Sequence, residues 1–388
     1  MTTSISDGMG SLVAGLSAAG ALPAAYRYAF QAVDRAQFIP DRIWVGDDDD
    51  RGDIAVDREI DPKAWEEAVY DATLPIVTQF DDGTVMWPEQ GHRPTSSASA
   101  PTVVAGMLRV LGVQPGDNVV EIGTGSGYNA ALLSVIVGPD GQVSTVEVDP
   151  DVAAEATARL EVDGYLHNVR VIVGDGATTT PTDRPWDRVI ATAAVPLGRL
   201  PYGWVEHTQP GGIIVVPMFA DLTSDPLVRL VVADEGTARG HADAELNVGF
   251  MHLRTERPAR AALGALVWDD ESADLLHTSV DIWDPLHDQA WCWAMAVAMP
   301  SCRYNTYQPG ERSERRLILF KDPVSGSWAS IHGPDDEGRL AVRQSGPRHL
   351  GDEALAAIRW FARHGAPPLE AWLWEVGPDR QSVTLPGT

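Results

Sequence analysis

A glycine-rich turn between two apolar segments constrains the fold of this chain more than any other feature. The turn lies within residues 119–129, which read VVEIGTGSGYN and place glycines at positions 123, 125 and 127. The apolar run before the turn is typical of a buried parallel strand, and the Ala- and Leu-rich segment 129–137 after it predicts a helix. In a strand–turn–helix unit of this kind, glycines let the backbone approach a ligand, and free N–H groups at the helix start face that ligand.

One acidic side chain narrows the class of ligand. Glu121 stands just before the first glycine of the turn. A dinucleotide site directs N–H donors at a pyrophosphate there, whereas a carboxylate suits a ligand with an ammonium group, such as S-adenosylmethionine. The turn also lacks the G-x-G-x-x-G spacing, which disfavours the alternative of a nicotinamide-dependent oxidoreductase.

Two further acids follow the next two predicted strands. Glu147 ends the strand predicted at 142–148, about 20 residues after the turn, where an acid binds ribose hydroxyls in nucleoside-binding folds. Asp175 follows the strand predicted at 169–173, where a carboxylate can accept a hydrogen bond from an adenine amino group. The carboxyl ends of parallel strands meet at one edge of the sheet, so the three acids indicate one ligand site. The predicted cofactor contacts are Glu121, Gly123, Thr124, Gly125, Ser126, Gly127, Tyr128, Asn129, Glu147, Val148, Asp175 and Gly176.

Four more apolar segments complete a predicted Rossmann-like, seven-stranded α/β sheet, at 187–191, 212–217, 227–233 and 246–253. Apolar residues at spacings of three and four within 11–39 predict a cap of two helices before the sheet. From about residue 256 the chain becomes rich in Trp, which predicts an α+β extension with its own small core. We therefore divide the chain into an N-terminal helical cap and loop region at 1–95, a Rossmann-like core at 96–255 and a C-terminal extension at 256–388.

A hydroxyl-rich segment, TSSASAP at 95–101, leads into a helix with apolar residues at 104, 108 and 111. Ser99 stands two residues before Pro101, and Ser followed by Pro is a typical helix start. The same hydroxyl also suits contact with a substrate. From the residues alone, a helix cap and a functional role remain equally open for Ser99.

Charge and cysteine content exclude several kinds of partner. Fifty-five acidic residues against 29 Lys and Arg give a net charge of −26, which argues against nucleic acid or an anionic membrane as partner. Cys292 and Cys302 provide neither a disulfide framework nor a zinc site, so we expect buried thiols and no metal. No export signal or membrane-spanning stretch stands out, which predicts a soluble, cytoplasmic protein.

Across residues 12–254 the chain resembles the protein-L-isoaspartate O-methyltransferases. The resemblance rests on the blocks AFQAVDRAQFIP, YDATLPI, SASAPTVVAGML, VVEIGTGSGYNAALL, GDG and PGGIIVVP, in that order. It implies S-adenosylmethionine as cofactor, the methyltransferase form of the sheet, and carboxyl O-methylation of a peptide or protein. Aligning the family's Thr-Ile-Ser-Gln-Pro with residues 97–101 puts the active-site hydroxyl on Ser99, with Ser97 beside it.

The departures from the family's pattern affect the acceptor. Ser97 and Ala100 replace the family's Thr and Gln, and the C-terminal extension exceeds a plain repair enzyme. Residues 352–385 resemble the extension of actinobacterial relatives that act on ribosomally made peptides such as graspetides, lanthipeptides and lasso peptides. That resemblance implies methylation of an Asp in a precursor peptide, with collapse of the ester to aspartimide or isoaspartate. The alternatives are repair of L-isoaspartyl residues in damaged proteins and a non-catalytic peptide-binding scaffold, which the intact acids disfavour.

Overall fold

The computed structural model describes residues 5–46, 52–181, 184–223, 225–257, 273–311 and 313–387. The segment 258–272, with which the predicted extension begins, lies outside the described residues. The proposed boundaries at 95/96 and 255/256 stay a prediction.

The first region combines helices with a small sheet. Its elements are α1 (Ile5–Ala18), α2 (Arg27–Ala32), β1 (Arg42–Gly46), β2 (Asp53–Asp57), α3 (Pro62–Tyr70), β3 (Ile76–Phe80) and β4 (Pro94–Ala98). The two predicted helices are confirmed, and Leu12, Leu16 and Phe30 are fully buried. The four strands form an antiparallel sheet in the order β2-β1-β3-β4. The sequence did not indicate this sheet, because each of its strands is only five residues long.

The central region alternates strands and helices, as predicted. Its elements are α4 (Pro101–Leu111), β5 (Asn118–Ile122), α5 (Tyr128–Val137), β6 (Gln142–Glu147), α6 (Pro150–Val162), β7 (Val169–Val173), β8 (Trp186–Ala191), β9 (Val195–Pro196), α7 (Tyr202–His207), β10 (Thr208–Phe219), β11 (Asp225–Val232) and β12 (Ala238–Val248). The sheet runs in the order β12-β11-β10-β8-β5-β6-β7. From β10 to β7 the neighbouring strands are parallel, which brings the carboxyl ends of β5, β6 and β7 together. The Rossmann-like fold is therefore confirmed.

The predicted position of the seventh strand is wrong. The apolar segment 246–253 suggested a strand there, but β12 occupies 238–248 and leaves the chain extended beyond it. The buried positions of β12 carry small residues, including Ala238 and Ala242. Gly240 lies so close to β11 that an added Cβ would stand 1.8 Å from the Arg229 carbonyl oxygen. Small buried residues give no apolar alternation, so the strand was hidden in the sequence.

The tail forms a second sheet and also extends the first. Its elements are β13 (Asp274–Thr278), α8 (Gln289–Ala298), β14 (Arg303–Tyr307), β15 (Leu317–Lys321), β16 (Trp328–His332), β17 (Leu340–Ser345), α9 (Leu350–Arg363), β18 (Leu373–Val376) and β19 (Gln381–Thr384). Strands β13 to β17 form a sheet in the order β13-β17-β16-β15-β14, and α9 packs on it beside α8. Strand β18 pairs antiparallel with β12, so the tail covers what would otherwise be the edge of the central sheet.

The structure bears on two expectations that were drawn from the composition. Cys292 and Cys302 are buried free thiols, and burial raises their pKa values to about 11 and about 12. Within the described residues, no helix combines the length and the apolar surface that crossing a membrane requires.

Tryptophans join the tail to the core, which predicts that the two unfold together. Trp374 on β18 is 1% exposed and lies opposite Gly240 of β12, and Trp374 and Trp293 on α8 share one buried cluster with core residues such as Trp204. We expect Trp374→Ala to lower the free energy of unfolding by about 3–5 kcal/mol, the usual cost of emptying a buried Trp site. Urea unfolding followed by near-ultraviolet circular dichroism measures this loss.

The control variant is Val324→Ala, at a site that is 82% exposed, and it should leave the unfolding midpoint in place. Two separate transitions in the unmutated protein, with only one shifted in Trp374→Ala, would contradict joint unfolding.

Candidate active site

The loops after β5, β6 and β7 enclose a cavity of about 490 Å³ at the carboxyl edge of the central sheet. The segment 94–100, which contains β4, closes one side of it, and 249–254 after β12 closes another. The cavity brings together Ser97, Ser99 and all the predicted cofactor contacts except Gly127. Gly127 instead precedes α5, and a Cβ there would face Ala156 and Leu160 at 3.5–3.6 Å.

The glycine turn lies close to the serine segment on the other side of the cavity. Gly125 has φ +53°, a left-handed conformation that glycine adopts without strain. A Cβ at Gly125 would lie 2.9 Å from the Ser97 carbonyl oxygen. A larger residue would therefore push β4 away from the turn, so glycine sets the spacing between the turn and the serine segment.

Glu121 lies fully buried at the end of β5, and two side chains hold its carboxylate. Asn129 Nδ2 donates to Oε1 at 2.7 Å, and Thr145 Oγ1 donates to Oε2 at 2.6 Å. Burial raises the pKa of Glu121 to about 7, against the lowering effect of these two hydrogen bonds. The Oδ1 atom of Asn129 is buried and has no hydrogen-bond partner among the described residues. This acceptor borders the cavity beside Glu121, and together the two suit a ligand with an ammonium group.

Glu147 joins the turn to the next helix. Its Oε2 accepts from the Gly125 N–H at 3.0 Å, and its Oε1 accepts from the Asp149 N–H at 3.1 Å. A carboxylate has about four acceptor positions, so lone pairs remain for hydroxyl groups of a ligand. The position fits the predicted contact with a ribose.

Asp175 follows β7 and lines the opposite end of the cavity. Its Oδ1 accepts from the Ala177 N–H at 2.9 Å, while Oδ2 has no hydrogen-bond partner in the described chain. The adjacent Gly176 packs so closely that a Cβ would stand 2.4 Å from Ile122 Cγ2. A planar base with an amino group matches this free acceptor and narrow space, so the donors and acceptors of the cavity fit S-adenosylmethionine.

Ser99 is free of any structural capping role. The helix α4 begins at Pro101 with Ala100 as its N-cap, and no side chain caps it, so the interpretation of Ser99 as a helix cap is wrong. Neither Ser97 nor Ser99 forms a side-chain hydrogen bond with another described residue, and both line the cavity. By contrast, the neighbouring Ser96 is buried and bonds to Thr78 Oγ1 at 3.0 Å.

Several cavity residues were not identified from the sequence. The half-buried His252 stacks on Phe219, with ring centroids 3.6 Å apart. Burial and the positive charges of Arg93, Arg257 and Arg303 lower the pKa of His252 to about 4, so its imidazole is neutral at pH 7. His252 fell inside the misplaced strand 246–253. In the structure His252 pairs with Ala194, in the loop after β8. A contact between segments this far apart in the chain leaves no local pattern in the sequence.

Two arginines form ion pairs between the segments that close the cavity. Arg254 lies 3.1 Å from Asp149 Oδ2 and 3.2 Å from Asp82 Oδ1, and Arg257 lies 2.8 Å from the same Asp82 oxygen. Asp82 belongs to the connection between β3 and β4, whereas both arginines follow β12. These ion pairs thus connect the first region to the central region beside the cavity.

Comparison with known proteins identifies a family. The family model described as protein-L-isoaspartate(D-aspartate) O-methyltransferase (PCMT) matches residues 54–254. The protein-L-isoaspartate O-methyltransferase of Aeropyrum pernix is 44% identical over 170 residues, which are 44% of this chain and 63% of that protein. The protein of the same name from Ignicoccus hospitalis is 41% identical over 138 residues, 36% of this chain and 64% of that protein. These two matches span just under two thirds of the relatives' own lengths.

Two other comparisons extend this result. A protein-L-isoaspartate O-methyltransferase from Xanthobacter autotrophicus is 37% identical over 180 residues, 46% of this chain and 72% of that protein. A solved structure described as a protein-L-isoaspartate O-methyltransferase aligns with 97% of this chain and 99% of its own, with a TM-score of 0.51 and 18% identity. That likeness shows a shared fold.

The raised pKa of Glu121 predicts a specific pH dependence of stability. A carboxyl whose pKa is near 7 when folded and near 4.5 when unfolded stabilises the native state below pH 4.5 and loses that contribution as pH rises through 7. Glu121→Gln cannot ionise, so between pH 5 and 8 we expect it to gain stability relative to the unmutated protein. The relative gain is on the order of 3 kcal/mol. Urea unfolding at several pH values measures it.

Asp225→Asn is the matched comparison, because burial also raises the pKa of Asp225 to about 7. Asp225→Asn should remove the part of the pH dependence of stability that is due to Asp225. If the curves of Glu121→Gln and the unmutated protein run parallel from pH 5 to 8, Glu121 does not titrate as expected.

Proposed function

Because this chain belongs to the protein-L-isoaspartate(D-aspartate) O-methyltransferase family, we propose that it methylates isoaspartyl carboxylates of peptides or proteins with S-adenosylmethionine as donor. The observation that carries the proposal is the single cavity in which the turn, the three strand-end acids, Ser97 and Ser99 meet. Bound S-adenosylmethionine would supply an electrophilic methyl group. Glu121 and Asn129 suit its ammonium group, Glu147 its ribose and Asp175 its adenine.

The residues of the acceptor end match the needs of a carboxylate nucleophile. A carboxylate with a pKa near 4 is already ionised at pH 7, so the site has no proton to remove. The main task is alignment of the reacting atoms at about 3 Å in a dry site, which is proximity catalysis. Hydroxyl donors such as Ser97 and Ser99 orient a carboxylate without neutralising it. The cavity-lining Arg254 and Arg257 are both engaged by Asp82 and therefore do not quench the nucleophile.

A second candidate acceptor is an ordinary Asp in a ribosomally made precursor peptide. The observation that favours it is a second cavity of about 390 Å³ between the core and the tail, which shares Arg257 with the first. Leu197 and Phe219 line its core side, and Ala296 and Met299 line its tail side. An extended peptide with its reacting residue in the first cavity has room for its flanking residues in the second.

The two acceptors differ in the product that follows the ester. In either case the bound donor would supply a methyl group to a carboxylate oxygen of the peptide, with the donor's sulfur as leaving group. The backbone nitrogen of the following residue then attacks the ester carbonyl, loses its proton and expels methanol, which leaves a succinimide. With isoaspartate this sequence leads back toward Asp, whereas with Asp it installs aspartimide in the peptide.

Mass spectrometry of peptides incubated with the protein and S-adenosylmethionine separates the candidates. We expect an isoaspartyl peptide to gain one methyl group and then lose methanol, while the matched Asp peptide stays unchanged. Turnover of an Asp-containing precursor alone would support the second candidate. Cofactor binding without turnover of either peptide would support a peptide-binding scaffold.

Replacing Ser99 should impair methyl transfer more than cofactor binding. Removing one positioned hydrogen-bond donor costs on the order of 10²-fold in kcat, so we expect Ser99→Ala to lose about that factor. Cofactor affinity, measured by calorimetry, should stay within about threefold, because the donor contacts come from other loops. The control Ser17→Ala alters an exposed serine of α1 whose hydroxyl donates to the Val13 carbonyl and which does not line the cavity, and it should retain activity. An equal loss of activity in both variants would argue against a direct role for Ser99.

The second cavity predicts a dependence on peptide length if it holds flanking residues. Thr255 is exposed at the rim of this cavity, so Thr255→Trp should obstruct it without disturbing the core. We expect kcat/KM for a long substrate to fall about tenfold, which corresponds to 1.4 kcal/mol, while a short peptide is unaffected. Val324→Trp, at a distant exposed site, is the control. Equal effects on long and short peptides would exclude this role.

A further inference from the structure

Arg35 is completely buried beneath the acceptor end of the cavity, where its guanidinium binds backbone oxygens only. It stands just after α2, at the start of a short helical turn. Its Nη1 donates to the Val69 carbonyl at 2.8 Å and the Asp71 carbonyl at 3.3 Å. Its Nη2 donates to the Leu74 carbonyl at 3.3 Å and the Ser99 carbonyl at 3.1 Å. Four carbonyls therefore converge on one side chain: one at the end of α3, two in the segment 71–75, and that of Ser99.

The charge of this guanidinium has no direct counter-ion. Within the described residues no carboxylate lies at ion-pair distance from Arg35, and its Nε has no hydrogen-bond partner. Burial lowers the pKa of Arg35 to about 10, which still leaves it charged at pH 7. A buried cation without a counter-ion is costly, and here the cation serves as the donor to four backbone carbonyls. The residue is thus better explained by what it holds in place than by a contribution to stability.

The two segments that Arg35 joins form the wall of the acceptor end. One is 71–75, from which Thr73 and Pro75 line the cavity, and the other contains Ser99. The hydroxyl of Ser99 forms no hydrogen bond with another described residue, and α4 begins only at Pro101. Among the hydrogen bonds of the described residues, the Arg35 contact is the one that ties the Ser99 carbonyl to another segment. The planar fork of a guanidinium suits this purpose, since it fixes the directions of several donors at once.

We infer that Arg35 is a positioning residue of the methyl-transfer site, which sets the direction of the Ser99 hydroxyl by holding the Ser99 carbonyl against the 71–75 segment. This inference rests on the proposed function of the same cavity. Arg35 lies behind the residues that line the cavity. It therefore acts through Ser99 and does not itself contact the acceptor.

A double-mutant cycle tests this role. Arg35→Lys keeps the charge but replaces the fork with one compact donor group that cannot serve four carbonyls. We expect kcat to fall by about 10–100-fold in the Ser99-containing protein, and by less than about threefold in the Ser99→Ala background, because residues in one network are not additive. Cofactor affinity should stay within about threefold in every variant, because the cofactor loops are held separately. Arg42→Lys, at an arginine whose side chain is 62% exposed, is the control and should keep full activity.

The outcomes separate the possibilities. Equal losses from Arg35→Lys in both backgrounds, or a parallel loss of cofactor binding, would overturn the positioning role while the proposed function stands. An unmutated protein that binds cofactor but methylates neither peptide would overturn the function and this role with it. If Arg35→Lys is unfolded at the assay temperature, Arg35→Gln enters the same cycle. Unfolding of both variants would mark Arg35 as a structural residue and overturn the inference.

Discussion

The close contact between Gly125 and the Ser97 carbonyl determines how the site is assembled. The turn belongs to the central sheet, and Ser97 belongs to the small N-terminal sheet, so this contact sets the distance between the donor and acceptor halves of the cavity. Glu147 fixes the turn from the other side by accepting the Gly125 N–H. The turn is therefore held between β4 and β6, and a shift of either strand changes the space between methyl donor and acceptor.

The electrostatics of the site differ from those of the molecule. The chain carries a net charge of −26, yet arginines cluster around the acceptor end of the cavity. Asp82 engages Arg254 and Arg257, and backbone carbonyls engage Arg35. Arg254 and Arg257 are thus paired with a carboxylate, whereas Arg35 is held by carbonyls and has no counter-ion among the described residues. Under the proposed function this positive surrounding favours a carboxylate acceptor, while the pairs with Asp82 reduce the attraction that Arg254 and Arg257 would exert on it.

The sequence predicted those parts of the site that depend on local pattern. The turn, Glu121, Glu147 and Asp175 lie at the ends of regular strands, and regular strands can be recognised from apolar runs. Parts that depend on contacts between distant segments left no such pattern. Strand β12 was hidden because Ala and Gly fill its buried face, and His252 was hidden with it. Arg35 left no signal of its own in the sequence, because its four acceptors are backbone carbonyls that any residue would provide.

The way the tail attaches bears on the choice of acceptor. Strand β18 pairs with β12 and supports it with the ion pair between Arg239 and Glu375, so the tail continues the central sheet. Paired edges resist association with other chains, and this alone gives the tail a structural purpose. Covering an edge, however, requires only β18 and β19, whereas the tail also builds a five-stranded sheet and, with the end of α8 and residues 299–302, lines the second cavity opposite the core. Covering an edge does not account for the residues that line this cavity, whereas an occupant of the cavity would. A peptide longer than the reacting residue is the occupant that the proposed chemistry would bring there.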